Sequence, residues 1–144
     1  MSNIKSDDIY RSEISKPVLI PIVGMQIPAG FPSPADDFIE GKLDLNTMVI
    51  KNPTATFYMR VQGDSMMDAN IHDGDMIVVD RSIEPTHGKI VIAVIDGEFT
   101  VKRLYRKDGV IKLIPENPDY QEIVIHQEQE LTVWGVVSFV VHKL

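Results

Sequence analysis

The chain has 144 residues, a hydrophobic fraction of 44% and a charged fraction of 24%, values that suit one globular domain with a real core. Fourteen basic against 21 acidic residues leave a net charge of −7, which opposes any broad grip on nucleic-acid phosphates. Cysteine is absent, which excludes disulfide scaffolds, thiolate zinc sites and cysteine nucleophiles.

The first 16 residues are polar without a clear period and read as a mobile terminus. Lys16 and the apolar residues 17–28 imitate an export signal ahead of Ala29-Gly30. Pro17, Pro21 and Pro28 interrupt that run, however, and Asp7, Asp8 and Glu13 are acidic where basic residues belong. No apolar stretch approaches the roughly 20 residues of a membrane span, so a cytoplasmic protein is expected, with no membrane partner. Residues 18–23 hold Pro21 at their middle and read as an edge strand or extended segment.

Ser33-Pro34 followed by Asp36 and Asp37 has the form of a helix start, with Ala35, Phe38 and Ile39 as its apolar face and Gly41 as its stop. A second helical turn is expected from Leu45 to Ile50. From residue 55 the signal turns to β. Residues 56–62, 76–80, 90–95, 99–104, 110–114, 123–125 and 131–141 are rich in Val, Ile and aromatics and are separated by turn residues. Asp96-Gly97 is a two-residue hairpin signal, and Lys107-Asp108-Gly109 looks like a second tip. The expected fold is therefore mostly β, a compact antiparallel body with a short helix and a mobile N-terminal arm. The arm covers residues 1–29 and the body 30–144; the arm is neutral, with Lys5, Arg11 and Lys16 balancing Asp7, Asp8 and Glu13.

Three chemistries can be weighed on residue type and spacing. Lys102, Arg103, Arg106 and Lys107 crowd one segment, but a hairpin with four cations is more often a solvated tip than a nucleic-acid surface, and no direct sequence-specific DNA binding is expected. Asp68, Asn70, Asp73 and Asp75 surround Gly74, yet a calcium-loop register would put His72 at the fifth position and Val79 where a bidentate Glu belongs. That segment reads as a polar turn, and no metal or cofactor is expected. Gly63-Asp64-Ser65-Met66-Met67 lacks the second glycine of a hydrolase elbow. In a strand, though, Thr100, Lys102 and Leu104 share one face, which sets Lys102 inside an apolar body. A lysine there is neutralised by burial and can act as a base toward a serine hydroxyl; spacing alone leaves open whether Ser65 and Lys102 meet.

Gly63-Asp64-Ser65-Met66, the Asp73-Gly74-Asp75 turn, Asp96-Gly97-Glu98-Phe99-Thr100-Val101-Lys102 and Ala29-Gly30-Phe31-Pro32-Ser33-Pro34 together resemble the UmuD group of the LexA-type Ser-Lys peptidases. The likeness runs from about Ile27 to Val141. It implies the fold of the LexA/UmuD C-terminal domain, with Ser65 as nucleophile and Lys102 as its general base. It implies further that the backbone N–H groups of Asp64 and Ser65 form the oxyanion hole and that the scissile bond is Ala29-Gly30. Ile27 would fill an apolar pocket on the same face as Ala29. Alanine before the cut matches LexA-type repressors, where UmuD proteins often carry cysteine.

By the same resemblance the protein is a homodimer of the SOS response to DNA damage. A RecA filament on single-stranded DNA stimulates its self-cleavage, and the shortened form serves a UmuC-type error-prone polymerase in translesion synthesis. Replicative polymerase subunits are further candidate partners. The competing reading is a LexA-like or phage-type repressor. It needs a helix-turn-helix module before the cut, and the 29 residues ahead of Gly30, with three prolines, are too few for one. The third reading, an inert polymerase-binding scaffold, is disfavoured by the presence of Ser65, Lys102 and Ala29-Gly30 together.

Overall fold

The computed structural model describes residues 9–11, 16–23, 29–30 and 39–144. Its backbone separates into two units, Met1–Glu13 with Asn52–Leu144, and Ile14–Lys51.

The larger unit is one antiparallel eight-stranded sheet. Its strands are β1 (Ile9–Arg11), β4 (Thr56–Arg60), β5 (Met76–Asp80), β6 (Ile90–Ile95), β7 (Glu98–Lys107), β8 (Val110–Ile114), β9 (Ile123–Val124) and β10 (Leu131–Val141), in the order β1-β4-β5-β10-β6-β7-β8-β9. The mostly antiparallel fold expected from the sequence is therefore the one found. β10 holds the sheet together: its first half pairs with β6 and its second with β5, and register shifts near Gly135 and Ser138 bend it between the two. The hairpins form where the turn residues predict them. Asp96 and Gly97 have φ of 49° and 84°, and Asp108 and Gly109 have 53° and 75°, the left-handed pair that a two-residue turn between twisted strands requires.

Both faces of the central hairpin β6–β7 are buried. Ile92 and Val101 enter one apolar cluster with Met59, Val61, Met66, Ile71, Ile77 and Val79. Val91, Ala93 and Leu104 enter a second with Leu113 and Val136. On β7 beside them, Thr100, Val101, Lys102 and Leu104 are buried, while Arg103 between the last two is partly exposed.

The smaller unit holds the two-stranded ribbon β2 (Ile20–Val23) and β3 (Ile39–Leu43), followed by α1 (Leu45–Val49). Asp44 caps α1, its carboxylate accepting the Asn46 N–H at 3.0 Å. Pro21 lies opposite Lys42 in a ribbon that has just two strands among the described residues, and an edge strand is the setting in which a missing N–H is tolerated. The expected helix stop at Gly41 is overturned: Ile39 and Gly41 lie in β3, opposite Val23 and Ile22. A two-turn helix is marginal without packing, and pairing with β2 satisfies the same backbone groups. The start of that expected helix, at 33–38, lies outside the described residues. A second difference is β1, within the expected mobile terminus. Ile9, Tyr10 and Arg11 pair with Met59, Tyr58 and Phe57, so the chain itself covers the outer edge of β4.

Candidate active site

Ser65 follows β4 in a loop tied down from several sides. Val61 N–H donates to the Asp75 carbonyl and Gly74 N–H to the Val61 carbonyl, each at 2.8 Å. The Asp73 carboxylate accepts the Gly63 N–H at 2.7 Å, and Gly63 turns the chain with a φ of 93° that a side chain would oppose. Residues 68–75, expected as a polar turn, thus brace the segment that carries Ser65. After Ser65 the Met66 side chain is fully buried in the first cluster, and Met67–Ala69 form a 3-10 turn closed by Asn70 in the left-handed region.

Lys102 lies on β7 opposite Val91, and Thr100 opposite Ala93. The lysine is 1% exposed and Ser65 0%. Lys102 Nζ is 3.0 Å from Ser65 Oγ, 2.9 Å from Thr100 Oγ1 and 2.9 Å from the Val101 carbonyl oxygen. Three oxygens satisfy all three N–H bonds of an ammonium, so hydrogen bonding alone does not neutralise the group. Burial shifts the balance toward the neutral amine: it lowers the pKa of Lys102 from 10.5 to about 8. Among the described residues no carboxylate forms an ion pair with it. Once neutral, the amine has two N–H bonds and a lone pair. The Val101 carbonyl can only accept, and the Thr100 hydroxyl can accept as well, which leaves the lone pair for the Ser65 O–H. That is the arrangement of a general base beside a nucleophile.

The strap from Pro115 to Tyr120 grips the same loop. Glu116 N–H donates to the Ser65 carbonyl, and Asp68 N–H to the Glu116 carbonyl, both at 2.8 Å. Asn117 Nδ2 donates to the Asp64 carbonyl at 2.9 Å, and the Tyr120 hydroxyl to Asp64 Oδ1 at 2.5 Å. Arg103, one residue past Lys102, pairs with the Glu116 carboxylate and donates to the Gly88 carbonyl at 2.6 Å.

Residues 21–138 match the Peptidase S24-like family. The chain belongs to that family. Among its S24-like relatives, protein SamA of Salmonella typhimurium is 49% identical over 123 residues, covering 85% of each chain. Protein MucA of Escherichia coli is 43% identical over 136 residues, 94% of this chain and 92% of MucA. The LexA repressor of Erwinia tasmaniensis is 39% identical over 125 residues, 86% of this chain and 61% of the repressor. The family resemblance carried by the sequence motifs is borne out by these matches.

Of the residues singled out in the sequence, the S24-like fold brings Ser65 and Lys102 into hydrogen-bond contact across 37 positions of chain. Asp64 adjoins them in the braced loop. Ala29 and Gly30 belong to the smaller unit, where both are exposed; Ile27 lies outside the described residues. Sequence reading singles out neither Asn117 nor Tyr120. Nothing in the spacing of either residue points back to residue 64. Among the described residues no helix is long and apolar enough to cross a membrane.

Proposed function

We propose that the protein is a self-cleaving serine peptidase that cuts its own Ala29-Gly30 bond with Ser65 and Lys102. The 3.0 Å contact between two buried side chains carries this reading. Ser65 Oγ attacks the Ala29 carbonyl carbon while the neutral Lys102 amine takes its proton. The N–H groups of Asp64 and Ser65 receive the developing oxyanion. The C–N bond then breaks, and the Lys102 ammonium returns its proton to the departing Gly30 amine. This leaves Ala29 esterified to Ser65. A water deprotonated by Lys102 hydrolyses the ester and frees residues 1–29 from residues 30–144. A small residue before the cut and a glycine after it suit a strand that must approach a buried nucleophile closely.

The kinship with SamA, MucA and a LexA repressor supports a role in the bacterial SOS response. In this proposal the protein is a cytoplasmic homodimer. A RecA filament on single-stranded DNA promotes cutting, in the same subunit or its neighbour, and the shortened dimer joins a UmuC-type polymerase for translesion synthesis. Each arm is cut once, so the reaction is a switch.

The test is intact mass after overnight incubation at about pH 10, where the amine is unprotonated without an activator. Ser65→Ala and Lys102→Ala proteins are the controls. Release of residues 1–29 from the wild type alone is expected. An uncut wild type, both at pH 10 and with a RecA filament, overturns the peptidase reading; a cut Lys102→Ala protein overturns the dyad.

A further inference from the structure

Three groups on the strap Pro115–Tyr120 bond to the two residues Asp64 and Ser65. Glu116 N–H holds the Ser65 carbonyl at 2.8 Å. Asn117 Nδ2 holds the Asp64 carbonyl at 2.9 Å, and Tyr120 holds the Asp64 carboxylate at 2.5 Å. Asn117 is 8% exposed, and its orientation is fixed by the network. Its Oδ1 accepts the Asp119 N–H at 3.0 Å, so its other amide end must donate. The Asn117 carbonyl in turn accepts the Tyr120 N–H at 3.1 Å, closing the turn that aims both side chains at Asp64.

The peptide joining Asp64 to Ser65 is trans, and in a trans peptide the C=O and the following N–H point to opposite sides of the chain. Holding the Asp64 carbonyl against Asn117 therefore directs the Ser65 N–H away from the strap. We propose that Asn117 and Tyr120 are positioning residues that set the plane of the Asp64–Ser65 peptide and so aim the Ser65 N–H at the oxyanion. The proposal rests on the peptidase reading above and adds two residues to it. Lys102 is held by a different element, through Thr100 and Val101 of β7. Loosening the strap then weakens transition-state stabilisation and leaves the base as it was. The hydrogen bond from Tyr120 to Asp64 raises the tyrosine above its ordinary 10.0, so the strap stays protonated while Lys102 titrates.

The experiment is single-turnover self-cleavage between pH 7 and pH 10 for wild type, Asn117→Ala and Tyr120→Phe. Asn117→Ala is expected to slow the reaction about 10- to 100-fold at every pH, on the scale of a mis-set oxyanion donor, with the pH midpoint unmoved. Tyr120→Phe, which keeps the ring, is expected to slow it several-fold and carries the test if Asn117→Ala does not fold. Rates within twofold of wild type overturn the proposal. So does a loss accompanied by a shifted midpoint, because that reports general loosening around Lys102. A second measurement does not depend on cutting: amide hydrogen exchange in a Lys102→Ala background. Asn117→Ala should change exchange at Ser65 about tenfold or more and leave the β6–β7 hairpin unaltered. An unchanged Ser65 amide overturns the positioning role, even if a wild type that never cuts has already overturned the peptidase reading.

Discussion

Lys102 Nζ and Ser65 Oγ are 3.0 Å apart in a place where neither side chain is open to water. The lysine is buried, and its head group meets three oxygens that serve either protonation state. Burial therefore decides its charge. A pKa brought down to about 8 leaves roughly one amine in ten neutral at pH 7, against about one in a few thousand for an ordinary lysine. Under the proposed self-cleavage, a base that is mostly charged at pH 7 suits a cut that waits for a signal.

The rate of self-cleavage should follow the neutral amine. It should rise about tenfold per pH unit below pH 8 and level off above it, because deprotonation at about 8 creates the base. Intact mass against time from pH 6 to pH 10 measures this. A flat profile, or one that falls across the range, would remove Lys102 from the role of base.

The same shift is a statement about stability. The folded pKa of about 8 lies below the unfolded value near 10.5, so between them the unfolded chain binds more protons and stability climbs with pH. Below pH 8 both states are protonated, and the fold carries the full cost of a buried ammonium, about 3 kcal/mol for a shift from 10.5 to about 8. Lys102→Met keeps a long side chain and removes the charge. It should be more stable than wild type at pH 7 by up to about 3 kcal/mol, less the hydrogen bonds it loses, with the advantage gone by about pH 10. Urea unfolding at both pH values checks this. A variant less stable than wild type at pH 7 would mean that the hydrogen bonds outweigh the burial.

The β body was legible in the sequence because its signals are local. Asp96-Gly97 and Asp108-Gly109 dictate tight turns, and runs such as Ile-Val-Ile-Ala-Val-Ile at 90–95 leave no helical period to compete. The face shared by Thr100, Lys102 and Leu104 was legible for the same reason. β3 was not, since Pro34, Asp36 and Asp37 favour a helix locally and only pairing with a distant β2 decides against it at Ile39–Leu43. β1 was missed on similar grounds: three residues carry little signal, and their place is set by the open edge of β4. The bonds from Asn117 and Tyr120 to Asp64 span 53 and 56 positions. No spacing rule reaches that far.

Asp80 closes β5 and should be a point of acid sensitivity. Burial alone would raise its pKa, but hydrogen bonds from the Ser82 hydroxyl and N–H, and from the Asn52 amide, together hold it below 3.8. A depressed carboxylate contributes stability that is present above its unfolded pKa and lost as pH falls through the folded one. Asp80→Asn should cost about 1–3 kcal/mol at pH 7, because its NH2 group meets donors where the carboxylate accepted. It should also flatten the loss of stability below about pH 4. Thermal unfolding of both proteins from pH 7 to pH 2 tests this, and parallel curves would count against it.

Gly135 sits at the bend of β10, where the sheet passes from β6 to β5. A Cβ there would lie 2.6 Å from Val79 Cγ1 and 3.3 Å from Arg81 Cγ. Neither neighbour is free to retreat. Val79 is fully buried with a stiff, branched side chain. Arg81 stacks 4.4 Å from the centre of the Trp134 ring and donates from Nε to the Trp134 carbonyl at 2.8 Å. Gly135→Ala should therefore destabilise the fold by about 1–3 kcal/mol through overpacking. Its denaturation can be followed by the fluorescence of the single tryptophan. Adding Val79→Ala should return part of the loss, because the smaller side chain removes the closest contact, and the non-additivity of the pair measures that clash. If Gly135→Ala unfolds within about 0.5 kcal/mol of wild type, the bend tolerates a side chain and the close approach to Val79 does not constrain it.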